Sequence, residues 1–296
     1  MLTLQIILMR IQLILVALIS LSYSIANAQT YKDLVKFTDT SFTTYYSSGC
    51  EERATAMSAR CERAIEYVNS LVGFKPKMTL LILNPKHWKK YAPNDVYGFP
   101  HASKGVLYVA SEDNDFWRSF VPPLAQLPTD MQTKIKQAYT TKDGTLSMMA
   151  FFDLLALHEL GHTFHNQAGL NMQRSWLREL FCNLMLHTYI AENEPGNLPA
   201  LELFPQMVVS SGSSEFKFTS LKDFETKAGS MDPRNYGWYE CRFHVAARKI
   251  YDNGGKDVFI KLWKGLKSNT ANMPDDQLVS FLSNIDGELA RVMTEW

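Results

Sequence analysis

Two histidines and a glutamate near the middle of the chain have the types and the spacing that bind a metal ion. The chain reads HELGH from His158 to His162, so the two histidines are four residues apart. On an α-helix this spacing places both imidazole rings on one face, about one turn apart, where their nitrogens can bind one metal at about 2.0–2.1 Å. Glu159 lies beside them, placed to contact a metal-bound water rather than the metal. The segment predicts a zinc-activated water; the alternative is a pair of hydrogen-bonded core histidines.

A catalytic zinc site needs a third protein ligand and one open position. Glu179 is the best candidate, because the sixteen residues between it and His162 suffice for one helix to end near Gly169 and a second to return. Asn183 lies four residues further on, on the same helical face, where it is expected to hydrogen-bond a ligating histidine and fix its tautomer. The alternative for Glu179 is a surface salt bridge, which its apolar neighbours make the poorer interpretation.

The remaining histidines lack a ligand pattern. His165 shares a face with His158 but lies two turns away, so a packing or substrate-pocket role is expected. His187 is not expected to bind the metal, and three further histidines are interpreted as structural or surface residues: His87, His101 and His244.

The HELGH segment, followed by a WLRE helix that contains Glu179, resembles the gluzincin metallopeptidases, the broad group of thermolysin and the membrane-alanyl aminopeptidases. The resemblance implies one Zn²⁺ per chain, held by His158, His162 and Glu179. It also implies a peptide or protein substrate, with Glu159 as the general base that activates the attacking water. The spacer is shorter than in the best-known members, and the Gly-x-Met-x-Asn stretch of the aminopeptidases is absent.

The same resemblance implies a tyrosine that stabilises the transition state. It extends weakly to residues 235–240, where a predicted helix begins with tyrosines about 60 residues after Glu179. Tyr239 is preferred because Glu240 follows it, and Tyr236 is the second choice. The alternative is that both tyrosines are core aromatics.

The chain must position these residues with one large domain. It has 296 residues, of which 46% are hydrophobic, enough to bury a sizeable core. Its 30 basic and 30 acidic residues balance, so no net field favours nucleic acid or an anionic membrane surface. We therefore expect no nucleic-acid partner and no stable membrane insertion; the oligomeric state is left open.

Residues 1–28 are typical of a secretory signal peptide. Arg10 precedes a short apolar run over residues 11–19, and Ala26-Asn27-Ala28 suits signal peptidase. The mature chain is expected to start at Gln29 and to be secreted or periplasmic. The alternative is an uncleaved membrane anchor, for which the apolar run is short.

The mature part contains four cysteines, at positions 50, 61, 182 and 241. Export permits disulfides. Cys50 and Cys61 could close a small loop, and a bridge between Cys182 and Cys241 would tie the two site segments together. Four free buried thiols are the equally weighted alternative, because connectivity cannot be read from a sequence.

Hydrophobic periodicity predicts an α+β fold: a small N-terminal mixed sheet packed on the HELGH helix, and a mostly helical C-terminal half. Helices are expected near residues 50–72, 129–139, 146–167, 175–190 and 236–251, with two more at the end of the chain, and strands at 78–83 and 105–110. Residues 195–235 are interpreted as loop-rich. The single domain over 29–296 is expected to comprise an α/β subdomain at about 29–167 and a helical subdomain at about 168–296.

The strand at 105–110 has two interpretations. At the sheet edge it could pair with an extended peptide substrate; otherwise it is an ordinary buried strand. Together these features predict a secreted zinc metallopeptidase of the gluzincin type. The alternatives are a non-catalytic binding protein that kept the fold, and a zinc hydrolase of a non-peptide amide.

Overall fold

The computed structural model describes residues 31–296. The signal peptide predicted for residues 1–28 and the expected start at Gln29 lie outside the described residues. Residues 35–296 form one compact unit. In the short stretch before it, the Leu34 amide closes a turn on the Tyr31 carbonyl at 3.0 Å.

A five-stranded mixed sheet lies in the first third of the chain, with the strand order β1-β2-β3-β5-β4. Its strands are β1 (Val35–Phe37), β2 (Thr43–Tyr46), β3 (Thr79–Leu83), β4 (His101–Ser103) and β5 (Val106–Ala110). The central pairs β2–β3 and β3–β5 are parallel, whereas β1 and β4 pair antiparallel at the two edges. The predicted small mixed N-terminal sheet is confirmed.

Twelve α-helices make up most of the described chain. They are α1 (Glu51–Val72), α2 (Pro85–Tyr91), α3 (Asp115–Ser119), α4 (Thr129–Tyr139), α5 (Met149–Ala168), α6 (Ser175–Asn193), α7 (Leu198–Ser210), α8 (Leu221–Lys227), α9 (Pro233–Gly254), α10 (Lys256–Ser268), α11 (Asp275–Ile285) and α12 (Gly287–Thr294). The sheet packs against α5, and helices α6 to α12 form the C-terminal half, so the α+β class is confirmed. None of the helices described is both long and apolar enough to cross a membrane.

One part of the sequence-based organisation was wrong, and one open alternative is decided. Residues 195–235 are not mainly loop: they contain α7 and α8, the second begun by a capping box between Ser220 and Asp223. Of the two interpretations of the strand at 105–110, the structure has the buried strand, because β5 pairs with β3 on one side and β4 on the other. The edge is the short strand β4, whose His-Ala-Ser sequence carried no strand signal.

The helices α5 and α6 lie close together because Gly161 faces α6. A Cβ at Gly161 would lie 3.1 Å from the Cα, Cβ and Sγ atoms of Cys182, tighter than side chains normally pack. Gly169, with φ near +65°, ends α5 in the left-handed conformation and turns the chain toward α6. The pair spans the division expected near residue 167, which therefore falls inside the compact unit of residues 35–296.

All four cysteines are free thiols in the described chain. Cys50 directly precedes α1 and Cys61 lies within it, eleven residues on. At 1.5 Å per residue the two are about 16 Å apart, beyond the reach of a disulfide. Of the two options that the sequence left open, the structure has the free thiols.

Candidate metal centre

Three side chains from α5 and α6 converge on one point. His158 Nε2 lies 3.3 Å from Glu179 Oε2, and His162 Nε2 lies 3.1 Å from the same oxygen. The side chains of His158 and Glu179 are 7% and 4% exposed, whereas that of His162 is 18% exposed. The three residues that the sequence singled out as ligands are therefore brought together, with His162 on the more open side.

Two of the three distances between these ligand atoms match the edges of a tetrahedral site. Ligands bound to zinc at about 2.0–2.1 Å are about 3.3–3.4 Å apart along the edges of a tetrahedron. The two histidine-to-carboxylate distances of 3.3 and 3.1 Å lie at or near that length. Two imidazole nitrogens and one carboxylate oxygen are also a donor set that zinc accepts in catalytic sites. The residues present thus fit a zinc ion.

The opposite edges of both rings are held by hydrogen-bonding partners. His158 Nδ1 lies 3.0 Å from Asn183 Oδ1, the contact that the sequence placed there. His162 Nδ1 lies 3.1 Å from His165 Nε2. Burial, followed by the charge of His162, lowers the pKa of His165 to about 3, so His165 is neutral and its Nε2 can accept a hydrogen bond from the Nδ1–H of His162. Both contacts leave the Nε2 lone pairs available to a metal.

Cys182 is a neighbour of the site rather than a ligand in this arrangement. Its Sγ lies 3.4 Å from His162 Nδ1, on the ring edge away from Glu179. Burial raises the pKa of this thiol well above its usual value, which disfavours the thiolate that zinc requires. Its closeness follows from the tight packing at Gly161.

The electrostatics of the ligand group favour opposite charges. Burial opposes the charged form of His158, but the hydrogen bond that it donates to Glu179 and the charges of Glu159 and Glu240 outweigh it and raise the pKa of His158 to about 9. Burial likewise opposes ionisation of Glu179, yet its contacts with both histidines hold its pKa well below the usual value. A metal ion at this point would replace a proton on His158.

The second carboxylate oxygen of Glu179 is also fixed. Arg178 Nε donates to Glu179 Oε1 at 2.9 Å, and the guanidinium forms an ion pair with it at the same distance. Oε1 is therefore turned toward Arg178 and Oε2 toward the histidines. This supports binding of a metal through a single oxygen.

Glu159 faces the edge of the sheet. Its Oε2 accepts a hydrogen bond from the Ala102 amide of β4 at 2.9 Å. Because that amide donates to Glu159, it points away from β5, at the edge of the sheet. The glutamate expected to act as base is thus hydrogen-bonded to the edge strand.

The two tyrosines of α9 have different surroundings. Burial and then the charges of Glu240, Glu179 and Glu159 raise the pKa of Tyr236 above its usual value. Tyr239 is fully buried and donates to the Ser220 carbonyl at 2.8 Å. The hydroxyl of Tyr239, the first choice from the sequence, is thus engaged by the backbone, which favours the second choice, Tyr236.

Helical geometry explains why Tyr236 and Tyr239 have different surroundings. Adjacent helix residues are rotated by 100°, so Tyr239 cannot share the face of Glu240, whereas Tyr236, one turn earlier, does. Tyr239 instead stacks on Trp296, with ring centroids 5.9 Å apart. Glu240, which follows Tyr239 in the sequence, shares its helical face with Tyr236 and not with Tyr239.

Glu240 is the site residue that the sequence analysis missed. Its Oε2 accepts from Asn183 Nδ2 at 3.4 Å, and its carboxyl oxygens come within 4.8 Å of ligand atoms of His158 and Glu179. Burial and then the charge of Glu179 raise the pKa of Glu240 to about 8. Its spacing of four residues from Tyr236 was the available signal.

This contact orients the Asn183 amide. The amide nitrogen can only donate and its oxygen can only accept. With Nδ2 turned to Glu240, Oδ1 must face His158 Nδ1, which then carries the proton and leaves Nε2 free. Glu240 thus acts on the metal ligand through Asn183.

The other histidines lie outside the ligand group. His187 Nε2 is 3.9 Å from Glu202, and His87 Nδ1 is 2.8 Å from the Ser47 hydroxyl. His101 stacks on Tyr108 in the edge strand, with centroids 4.7 Å apart. His244 is buried beneath the site, its ring 6.4 Å from that of His158.

The chain has no match among protein-family models, and no curated protein is significantly similar to it.

Proposed function

We propose that this chain is a zinc-dependent metallohydrolase that cleaves peptides. The observation that carries the proposal is the convergence of His158 Nε2 and His162 Nε2 on one oxygen of Glu179, at 3.3 and 3.1 Å. Zinc bound by these three residues would lower the pKa of a coordinated water to about 7 and polarise a substrate carbonyl. Asn183 and His165 hold the outer edges of the two rings for that purpose.

Glu159 is the general base of the proposed reaction. It follows His158 directly on α5, and the Ala102 amide fixes its Oε2. In this position the carboxylate can take a proton from the attacking water and later deliver it to the leaving nitrogen.

Tyr236 supplies a donor for the developing charge. Its hydroxyl is one turn from Glu240 and within reach of the charges of Glu179 and Glu159. The raised pKa keeps the phenol protonated, so it can donate to an oxyanion that forms at the substrate carbonyl. Tyr239, whose hydroxyl is engaged by Ser220, has no part in this step.

The free edge of β4 favours a peptide over another amide. The Ala102 N–H points away from β5, and in an antiparallel strand the carbonyl of the same residue points the same way. An extended peptide could therefore add to the sheet beside Glu159, with its backbone aligned along α5. A non-peptide amide would make no use of that edge and remains the second candidate. Export through residues 1–28 to a secreted or periplasmic location is part of the proposal and rests on the sequence alone.

The proposal is tested by comparing wild type with Glu159→Gln on a quenched-fluorescent peptide library. Loss of the general base is expected to reduce kcat by about 10²–10⁴-fold. Zinc content should stay at one ion per chain in both proteins, because Glu159 is not a ligand. Arg234→Gln, an exposed change on α9, is the matched control and should retain full activity.

The outcomes separate the alternatives. A zinc-loaded wild type that cleaves no peptide but hydrolyses small amides favours the non-peptide hydrolase. An unchanged rate in Glu159→Gln contradicts the proposed mechanism. A protein that holds zinc and hydrolyses nothing leaves the binding-protein alternative standing.

A further inference from the structure

A second cavity lies on the far side of α9 from the metal centre. It has a volume of about 260 Å³ and opens between α9 and α12. Three of the α9 residues that line it, Arg242, Val245 and Lys249, are rotated by about 140–180° from Glu240 at 100° per residue. The cavity is therefore separate from the proposed zinc site, and nothing said of it depends on that site.

Arg242 is the main charged group of this α9–α12 cavity. Its guanidinium lies 4.1 Å from the ring centroid of Trp296 and 5.2 Å from that of Trp238. The other two arginines of α9 form ion pairs, Arg234 with Glu215 and Arg248 with Glu202. Among the residues that the structure describes, Arg242 pairs with no carboxylate. The two indole rings thus hold a guanidinium in place while leaving its anion partner to come from elsewhere.

The charged side chains of the cavity leave two cations unpaired. Lys249 lies seven residues after Arg242 on the same face of α9 and, within residues 31–296, makes no ion pair. The two acidic side chains of the lining, Glu288 and Glu295, both pair with Arg291 on α12. Arg242 and Lys249, on the α9 side, are therefore the cations of the lining that no side-chain carboxylate pairs.

The remaining lining is apolar. Val209, Val245, Ala246 and Val292 surround the charged side chains. A site for a hydrated inorganic ion would not require such walls, whereas an organic anion would use both the cation and the apolar surface. The volume of about 260 Å³ limits the ligand to a small molecule.

We propose that the α9–α12 cavity binds a small organic carboxylate with an apolar body. The carboxylate would bind Arg242 side-on, through two parallel hydrogen bonds, with Lys249 nearby. The hydrocarbon part would lie against the valines. The tryptophans restrict the guanidinium to one orientation, which lowers the entropy lost on binding.

The test uses benzoate as the probe, with benzyl alcohol and inorganic phosphate as comparisons, titrated calorimetrically into the full chain. Saturable benzoate binding is expected, with weaker binding of both comparisons. Benzyl alcohol lacks the charge, and phosphate lacks the apolar body. Arg242→Gln should weaken benzoate by about tenfold or more, because a charge-assisted hydrogen-bond pair is lost. Lys249→Gln should weaken it less.

Arg234→Gln, on the same helix but paired outside the cavity, is the control and should bind benzoate as wild type does. Circular dichroism establishes that each variant is folded; Lys249 is exposed, so its variant keeps the test valid if Arg242→Gln does not fold. Absent benzoate binding, or equal binding to wild type and both cavity variants, overturns the proposal. Equal affinity for benzyl alcohol or for phosphate overturns it as well, since the charge or the apolar wall would then play no part. Zinc content and peptidase activity do not enter these outcomes.

Discussion

The α5–α6 pair and the helix α9 contribute to the metal centre in different ways. The ligand-bearing parts of α5 and α6 are apolar and buried on most sides, and they pack closely at Gly161. A polar side chain on these parts of α5 and α6 can avoid apolar surroundings mainly by pointing into the site. By contrast, α9 carries polar residues on two sides, with Glu240 toward the metal centre and Arg242 toward the second cavity. Residue spacing is therefore enough to predict the proposed ligands on α5 and α6. On α9 the spacing does not decide which helical face lies toward the metal centre.

The two tyrosines of α9 test this contrast most strongly. Tyr236→Phe is expected to lower kcat by about 10²–10³-fold with little change in KM, because it removes a donor to the developing oxyanion. Tyr239→Phe should leave kcat unchanged and instead lower the free energy of unfolding by about 0.5–1.5 kcal/mol, through loss of the hydrogen bond to Ser220. Steady-state kinetics and urea unfolding measure the two effects.

Each variant is the control for the other. The opposite result, with activity lost in Tyr239→Phe and kept in Tyr236→Phe, would restore the assignment made from the sequence. It would also mean that the helical face of Glu240 does not define the site.

The proposed ligands could be predicted from the sequence for a physical reason. His158 and His162, like Glu179 and Asn183, are spaced by four residues, and an α-helix turns that spacing into one face. Glu240 escaped notice because its contact with Asn183 depends on how α9 packs on α6, a long-range arrangement that no local pattern encodes.

The link from α9 to the ligands is tested by Glu240→Gln and Asn183→Leu. Both should weaken zinc binding by about 10–100-fold, since each disturbs the group that orients His158. Competition with a chromophoric chelator gives the affinity, and the visible spectrum of the cobalt-substituted protein reports the geometry. Glu288→Gln, in the second cavity, is the control.

If Asn183→Leu weakens zinc binding but Glu240→Gln matches wild type in both affinity and cobalt spectrum, Glu240 does not orient the amide. The site would then consist of α5 and α6 alone. An unchanged affinity in both variants would remove the role assigned to Asn183 as well.

Zinc binding should also depend on pH through His158. Its raised pKa of about 9 means that the metal-free protein carries a proton there at neutral pH, and zinc must displace it. Affinity is therefore expected to rise by about tenfold per pH unit from about pH 7 toward about pH 8.5. Folding of the metal-free protein has the opposite trend: the contribution of protonated His158 is complete below its unfolded pKa near 6.5 and is lost as the pH rises through about 9.

Chelator competition in metal buffers measures the affinity, and calorimetry in buffers of different ionisation enthalpy counts the proton released. Zinc affinity that is flat over this range, with no proton released, would contradict the ion pair between His158 and Glu179.

As in the site, some elements of the fold were predictable from the sequence and others were not. The sequence predicts the strands β3 and β5 and the periodic helices, because each of them buries apolar side chains at regular positions. Strand β4 was not, since three residues with mixed polarity become a strand only by pairing with β5. The sequence therefore offered only β5 as a possible edge beside the site and could not identify β4, the strand that contacts Glu159.

The central claim is that His158, His162 and Glu179 hold one zinc ion. Zinc quantification on purified wild type and on Glu179→Ala tests it most directly, with the exposed Arg234→Gln as a control outside the site. The account predicts about one zinc per wild-type chain, strong loss of zinc from Glu179→Ala, and retention in Arg234→Gln. Wild type without stoichiometric zinc, or Glu179→Ala that binds zinc as wild type does, would contradict it.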